Sequence, residues 1–229
     1  MRLLAIDSST DWISVAAGDA NAQALFEEPA SNAHSERVMP LVRQALAAAG
    51  WRLRELDAIA FGAGPGAFTG VRIACAVAQG LALGVDVPVL PVGTLEAMAE
   101  ETWRRHGEAR VLAALDARMQ EVYFAAYAHE NDGWDEVTAP EVAQPDGVAV
   151  PQADWAAAGD GFVRYPALAA RLCIARVLAD VRPSARAIVS LAAPRVAAGE
   201  AMAAHDALPV YVRHRVALTL AERDAGVRL

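Results

Sequence analysis

The stretch that decides the fold is FGAGPGAFTGVRIACAVAQGLALG, residues 61–84. It follows the apolar run 58–60 and begins with a loop that carries glycines at positions 62, 64, 66 and 70. An apolar run, a glycine-rich loop and a long apolar segment predict a strand, a tight turn and a helix. Thr69 is positioned to cap that helix, whose first N–H groups would face whatever lies at the loop.

Two nucleotide-binding loops can be compared with this turn. A Walker A loop requires a lysine before its Ser or Thr, and the chain contains no lysine. The Rossmann fingerprint requires G-x-G-x-x-G, whereas Gly64 and Gly66 are followed by Thr69 at the last glycine position. A tight turn packed against its own domain is the alternative that remains open.

The predicted helix after the loop is apolar on every side, apart from Arg72 and Gln79. A helix that is hydrophobic all round is expected to be buried all round. Ala74, Ala78 and Ala82 follow at i, i+4 and i+8, a stripe of small residues that would admit close approach of a second helix. Either the helix is enclosed within its own domain, or another protein covers one of its faces.

Composition limits the classes of partner. The net charge of −8 makes the chain a poor candidate for binding nucleic acid phosphates alone, and a better partner for a more basic protein. Cys75 and Cys173 lie far apart in apolar segments, which predicts buried free thiols and a reducing compartment. Because the charge-free run 73–85 is too short to span a bilayer, we expect a cytoplasmic protein without a membrane segment.

A hairpin pattern occurs twice. An apolar strand ends at Asp7, and a polar turn leads to a second strand from Ile13; the same unit recurs with Asp116 and Val122. The repeat predicts an α/β protein of two similar halves, residues 1–103 and 104–229, facing each other across a cleft. Chance similarity of two hairpins is the alternative. The end of the chain is expected to pack back on the first half.

The remaining elements follow from periodicity and turn residues. We predict a strand at 20–28, a helix at 35–49 capped by Ser35, a strand at 88–92, and a helix at 94–105. The second half is predicted to contain a loop with one short strand at 130–152, a strand at 155–158, helices at 166–177 and 184–205, and an extended segment at 209–213.

Few residues of the chain suggest catalysis. There is no G-x-S-x-G elbow and no Cys-x-x-Cys, and no two histidines are three or four residues apart, as a helical metal pair requires. Asp7 and Asp116 could hold Mg²⁺ through water, or they could bond the N–H groups of their own turns. Both possibilities stay open at this point.

Four segments together resemble one known family. LAIDSST at 4–10, GAGPGAFTGVRIA at 62–74, LDARMQEVYFAAY at 115–127 and PVYVR at 209–213 are similar, in that order, to the bacterial TsaB (YeaZ) family. The family belongs to the actin-like superfamily. The resemblance therefore implies an actin-like fold of two duplicated RNase H-like halves, with mixed sheets flanked by helices.

The resemblance also implies a function. Family members are noncatalytic subunits that pair with the catalytic paralogue TsaD and the small ATPase TsaE, in a complex that makes N6-threonylcarbamoyladenosine at adenosine 37 of tRNA. It implies a homodimer when the chain is alone, tRNA contact only through the complex, and no cofactor of its own, with ATP and Mg²⁺ acting through the partners. The alternatives are an actin-like ATPase or phosphotransferase, with Asp160 as the candidate acid, and an M22-type glycopeptidase.

The site residues expected from these inferences form two groups, and none is expected to be catalytic or to ligate a metal. The first group would form a partner interface on the first two helices: Val38, Leu41, Val42, Ala45, Arg72, Ala74, Cys75, Ala78, Gln79 and Ala82. The second group would face the cleft or a nucleotide: Asp7, Ser8, Ser9, Thr10, Gly64, Pro65, Gly66, Thr69, Asp116 and Arg118.

Overall fold

The computed structural model describes residues 1–19, 23–31, 33–130 and 133–213. Its first five strands form one mixed sheet in the order β3-β2-β1-β4-β5. These strands are β1 (Leu3–Asp7), β2 (Trp12–Gly18), β3 (Gln23–Pro29), β4 (Ala58–Gly64) and β5 (Val89–Gly93). The helices that follow β3, β4 and β5 are α1 (His34–Ala49), α2 (Phe68–Val85) and α3 (Thr94–His106).

The second sheet repeats the first. Its order, read from the edge formed by the last of its antiparallel strands, is β8-β7-β6-β9-β10. These strands are β6 (Arg110–Arg118), β7 (Glu121–Glu130), β8 (Gly133–Ala143), β9 (Ala156–Ala158) and β10 (Arg176–Leu178). In both sheets two antiparallel pairs are followed by two parallel ones. The identical order confirms the predicted fold of two duplicated halves.

Helices cover both faces of the first sheet. α1 and α2 pack on one face, and α6 (Ala185–Ala197) packs on the other together with part of α3. α3 also contacts the second sheet, whose outer face is covered by residues of the short helices α4 (Gly161–Arg164) and α5 (Ala167–Arg171). The two sheets are divided between residues 1–103 and 104–229, whereas α6 comes from the second part and completes the first.

The end of the described chain also lies on the first half. The amide of Gln79 donates to the carbonyl oxygens of Ala204 and Ala207, both at 3.0 Å, and the Val210 N–H donates to the Ala63 carbonyl at 2.7 Å. Two segments of the C-terminal part thus contribute to the first half: α6 covers the face of the sheet that α1 and α2 leave open, and residues 204–210 pack beside α2.

Several local predictions were wrong in the second half. Residues 133–143 form the long strand β8 rather than a loop with a short strand, and residues 166–177 contain only the five-residue α5 and then β10. α6 ends at Ala197, so the predicted helix to 205 is too long. Residues 209–213 were predicted to be extended, and they form no helix or turn and lie outside the named strands; residues 20–22 of the predicted third strand lie outside the described residues.

Two predictions about single residues were also wrong. Ser35 does not cap α1, which begins at His34 and has Ala33 at its cap position without a side-chain hydrogen bond. Cys75 is buried as expected, but Cys173 is exposed and has a positive φ of 56° at the turn after α5. Within the described residues both cysteines are free.

α2 is longer than its charge-free run. Its 18 residues, from Phe68 to Val85, are long and apolar enough to cross a membrane by length and composition alone, because Arg72 is its one charged residue. In the described structure, six of its residues are buried against the first sheet and its neighbours. A single helix that passes this test of length and composition is only weak evidence of a membrane segment.

Candidate functional site

The glycines of the decisive loop are used to pack the loop against the first hairpin. A Cβ atom on Gly66 would lie 2.4 Å from the carbonyl oxygen of Ser9, and one on Gly70 would lie 1.8 Å from the carbonyl oxygen of Ser8. A Cβ atom on Gly62 would lie 1.9 Å from a carboxylate oxygen of Asp7. The glycines therefore permit backbone contact within the chain, which is the alternative that the sequence left open.

The same contact starts α2. The N–H of Ala67 donates to the Ser9 carbonyl at 2.7 Å, and the Ser8 hydroxyl donates to the Gly70 carbonyl at 2.7 Å. Thr69 was predicted to cap the helix, but the helix begins one residue earlier at Phe68, and the cap position Ala67 makes no side-chain hydrogen bond. The prediction was wrong, and the contact at this end of the helix is instead the one between the Ala67 N–H and the hairpin backbone.

Asp7 is a buried carboxyl group at the end of β1. It accepts hydrogen bonds from the Ser9 N–H at 3.1 Å and from the Ser9 hydroxyl at 2.9 Å. Burial raises the pKa of Asp7 to about 7, against the lowering effect of the two Ser9 hydrogen bonds. Asp7 is thus partly protonated near neutral pH, and its carboxyl group hydrogen-bonds the turn that follows β1.

A cleft of about 530 Å³ opens between the two hairpins. Six of the ten cleft residues predicted from sequence line it: Ser9, Thr10, Pro65, Gly66, Asp116 and Arg118. The other four do not: Asp7, Ser8 and Gly64 are buried behind the wall, and Thr69 is exposed on α2 outside the cleft. Asp7 and Asp116 occupy equivalent strand ends, yet only Asp116 reaches the cleft.

The second-half wall of the cleft contains a pair of aspartates. Asp160 Oδ1 accepts a hydrogen bond from the Asp116 N–H at 3.0 Å, and Asp116 Oδ1 accepts one from the Arg118 N–H at 3.0 Å. Burial raises the pKa of Asp160; the hydrogen bond from Asp116 N–H lowers it, and the carboxylates of Asp116 and Asp11 raise it further. Asp116 also pairs with the Arg118 guanidinium at 3.2 Å.

The two aspartates found from the repeated hairpin therefore bond the N–H groups of their own turns. This is the second of the two roles that the sequence left open. Among the residues that the structure describes, no group of three or more His, Cys, Asp or Glu side chains is arranged to hold a metal ion. The geometry gives the Mg²⁺ hypothesis no support in this part of the chain.

The predicted partner interface lies mostly in the core. Ala74, Ala78 and Ala82 are each 0% exposed and pack with α1 and the first sheet. Their neighbours in the prediction are buried as well: Val38, Leu41, Val42, Ala45 and Cys75. Only Arg72 is exposed, and Gln79 is half-buried. The expectation that this stripe faces a partner was wrong, because these residues face the first sheet.

The opposite side of α2 is open, so the helix is not enclosed within its own domain, and the alternative of a face covered by another protein remains a prediction. Its exposed residues are Arg72, Ala76, Gly80, Leu83 and Gly84, and the half-buried Ile73, Val77 and Leu81 flank them. This side, which we call the outer face of α2, carries a second small-residue stripe at 76, 80 and 84. The sequence contained both stripes, and a search for every i, i+4, i+8 series would have found the second.

Sequence reasoning missed the aromatic and basic residues at the mouth of the cleft. Phe68, Tyr123, Tyr211 and Arg213 all line it. The Arg72 guanidinium carbon lies 3.3 Å from the centre of the Phe68 ring, and its Nε donates to the Tyr211 hydroxyl at 2.7 Å. Residues 209–213, PVYVR, were predicted only as an extended segment and as part of the family resemblance, and no role in the cleft was assigned to them.

Comparisons with known proteins agree on one family. The family model described as TsaD, tRNA N6-adenosine threonylcarbamoyltransferase, matches residues 26–210. The tRNA threonylcarbamoyladenosine biosynthesis protein TsaB of Escherichia coli K12 is 39% identical over 227 residues, covering 95% of this chain and 96% of that protein. Haemophilus influenzae TsaB is 40% identical over 154 residues, or 64% of this chain and 65% of that protein.

Solved structures show the same relationship. YeaZ from Pseudomonas aeruginosa superposes with a TM-score of 0.85 at 41% identity, covering 92% of this chain and 99% of that one. A second Pseudomonas aeruginosa structure, described as similar to peptidase YEAZ, gives a TM-score of 0.86 at 41% identity over 93% of this chain and 99% of that one. The chain therefore belongs to the TsaB (YeaZ) family of tRNA threonylcarbamoyladenosine biosynthesis proteins.

Proposed function

We propose that this protein is a noncatalytic scaffold subunit of the complex that makes N6-threonylcarbamoyladenosine at adenosine 37 of tRNA. In this proposal it binds and supports the catalytic TsaD subunit, and the ATPase TsaE joins the assembly. The observation that carries the proposal is the outer face of α2, an apolar surface without a covering element among the described residues.

The glycines of that face are the strongest support for a partner, because no contact among the described residues explains them. A Cβ atom built on Gly80 or Gly84 would meet no other atom within 4 Å. A glycine in a helix interior destabilises the helix by about 1 kcal/mol relative to alanine. No contact within the described chain requires glycine at these positions. Close approach of another helix is the reason that small residues at i and i+4 supply.

The chemistry of the outer face fits a protein partner. Leu83 is 61% exposed, and Ile73, Val77 and Leu81 provide apolar area beside the small residues. An apolar stripe of this kind at helical spacing suits packing against a helix of a related subunit. We infer that the same face joins two copies of this chain when TsaD is absent, and joins one copy to TsaD in the complex.

Two features support the absence of catalysis in this subunit. Gly66 and Gly70 contact the chain's own hairpin backbone, so these loop positions are already occupied by Ser9 and Ser8. The sequence contains no lysine to hold a transferred phosphate. We therefore propose that ATP and Mg²⁺ act on the TsaD and TsaE subunits, that tRNA is bound through the complex, and that this protein acts in the cytoplasm.

Copurification with TsaD of the same organism tests the proposal. We expect Ala76→Leu to weaken the pairing about tenfold to a hundredfold, because overpacking a close helix contact costs about 1–3 kcal/mol. Ala170→Leu is the matched control: it makes the same change at an exposed helical position of the second half, on α5. Normal pairing by folded Ala76→Leu protein would place the interface elsewhere.

One observation favours an alternative. The cleft with Asp160 and Asp116 on its wall has the dimensions of a small-molecule site, as an actin-like ATPase or phosphotransferase would need. Thermal unfolding with and without ATP and Mg²⁺ separates the two functions, because a bound ligand raises the melting temperature. A rise that Asp160→Asn abolishes, together with ATP turnover by the pure protein, would favour the enzyme.

A further inference from the structure

A short C-terminal segment crosses the mouth of the cleft. We call residues 208–213 the cleft strap. On the first half, the Val210 N–H donates to the Ala63 carbonyl at 2.7 Å, and the Val210 carbonyl lies so close to Gly64 that a Cβ there would be 2.8 Å away. The Tyr211 hydroxyl accepts from Arg72 Nε at 2.7 Å. Backbone and side-chain contacts together fix this part of the strap to the first half.

The strap reaches the second half through one side chain. Arg213 Nη2 donates to the Ala117 carbonyl at 3.0 Å and to Glu121 Oε2 at 2.5 Å, and its guanidinium lies 5.7 Å from the centre of the Tyr123 ring. The side chain of Arg213 is only 13% exposed. A partly buried, charge-assisted contact of this kind holds better than a surface ion pair.

The hairpin that Arg213 contacts has an unusual backbone. Arg118, Met119 and Gln120 have φ values of 60°, 52° and 61°, three successive non-glycine residues in the left-handed region. Met119 and Gln120 are the two central residues of the turn between the paired Arg118 and Glu121, where positive φ is the favoured geometry, whereas Arg118 itself persists in this region where surrounding contacts hold it. Arg213 supplies such contacts at Ala117 and, through Nη1, at the Met119 sulfur 3.6 Å away.

We propose that the cleft strap is a latch, in which Arg213 holds the tip of the β6–β7 hairpin against the first half and its release opens the cleft. The volume of about 530 Å³ is in the range of small-molecule sites, so the latch sets access of a small molecule to the space between the halves. The latch shares Arg72 with the outer face of α2, because Arg72 anchors Tyr211, but Arg213 lies outside that face and its release can be measured in the isolated chain.

Amide hydrogen exchange of the full-length chain tests the latch. In Arg213→Ala we expect about tenfold faster exchange in residues 116–121, the change that about 1.4 kcal/mol of lost local stability gives. Exchange should also rise in residues 65–68 and 208–211, because they form the opposite wall and the strap. Arg176→Ala is the matched control, since it removes an Arg–Glu pair of the same half, Arg176 with Glu108 at 2.7 Å.

Each outcome decides the proposal. Faster exchange on both walls in Arg213→Ala, absent in Arg176→Ala, supports the latch. A rise confined to residues 117–121 overturns it, because Arg213 would then only support its own hairpin; equal effects in the two variants overturn it as well. Should Arg213→Ala fail to fold, Glu121→Gln keeps the arginine, weakens one of its contacts, and must show the same two-wall pattern at smaller amplitude.

Discussion

The two sides of α2 carry the same sequence pattern, but one side is buried in the core and the other is exposed. Ala74, Ala78 and Ala82 on the inner face are completely buried against α1 and the first sheet. Ala76, Gly80 and Gly84 on the outer face repeat the i, i+4, i+8 spacing and are exposed. A stripe of small residues therefore indicates that something approaches closely, and the surrounding elements decide whether that is the chain itself or another molecule.

The glycines make the difference between the two sides measurable. Gly70 lies where α2 contacts the first hairpin, and a Cβ there would lie 1.8 Å from the Ser8 carbonyl oxygen. A Cβ atom on Gly80 would meet no other atom within 4 Å. One substitution, glycine to alanine, should thus have opposite effects at two positions ten residues apart.

The largest effect is expected for Gly70→Ala. The added methyl group must displace the hairpin backbone, so we expect a loss of about 4 kcal/mol in the free energy of unfolding, near the upper end of single-residue effects. Urea denaturation followed by circular dichroism measures it. Unfolding at the same urea concentration as the unmodified protein would show that the hairpin can retreat from α2 freely.

The pH dependence of the free energy of unfolding tests whether water is excluded from the buried carboxyl group of Asp7. The pKa of Asp7 is raised to about 7 in the folded state from 3.8, so the folded protein binds one more proton than the unfolded chain between these values. Stability from this group is therefore complete below pH 4 and is lost as pH rises through 7. At about 1.4 kcal/mol per pKa unit, we expect a decline of about 3 kcal/mol between pH 5 and pH 8, which Asp7→Asn should remove.

The measurement is a series of urea unfolding curves from pH 5 to pH 8. The matched variant is Asp116→Asn, which changes the equivalent carboxyl group of the second hairpin. If the free energy of unfolding depends on pH in the same way in Asp7→Asn and in the unmodified protein, water reaches the carboxyl group of Asp7 in spite of its burial.

A third test compares neighbouring alanines on the two faces. Ala78→Leu adds three carbon atoms inside the core and should cost about 2 kcal/mol of unfolding free energy. Ala76→Leu adds the same atoms on the outer face and should change stability by less than about 0.5 kcal/mol. Thermal melts of both variants, with size-exclusion chromatography, check this order. The comparison fails if Ala76→Leu is the less stable variant.

The smallest effect is expected for Gly80→Ala. Removing a helix-interior glycine should raise the free energy of unfolding of the monomer by about 0.5–1 kcal/mol, because nothing within 4 Å opposes the methyl group. The melting temperature at low protein concentration, where association is absent, reports the gain. A decrease would mean that an unnoticed contact inside the chain requires glycine there.

Much of the first half could be predicted from the sequence. The repeated hairpins with Asp7 and Asp116 indicated two similar halves, and both sheets have the same strand order. Helices α1, α2 and α3 were placed within three residues, since their apolar periodicity is long and ends at glycine or in a turn. The second half was less predictable, because β9, β10, α4 and α5 are three to five residues long.

The candidate site was only partly predictable for a related reason. Six of ten cleft residues were found, because strand ends and a glycine-rich loop carry a local signal. Phe68, Tyr211 and Arg213 were missed, since they meet only when residues 208–213 return to the first half from more than a hundred positions away. No local pattern contains a contact of that sequence separation.

By itself, the sequence determined that α2 is a helix with small residues on two sides, that the chain has two similar halves, and that the loop at 62–70 needs glycine. These properties depend on backbone conformation and on neighbours three or four residues apart. Only the tertiary structure decided which stripe is buried, that Asp7 is sealed while Asp116 faces the cleft, and that α6 completes the first half. Burial depends on which distant elements cover a surface, and that is fixed by the packing of the whole chain.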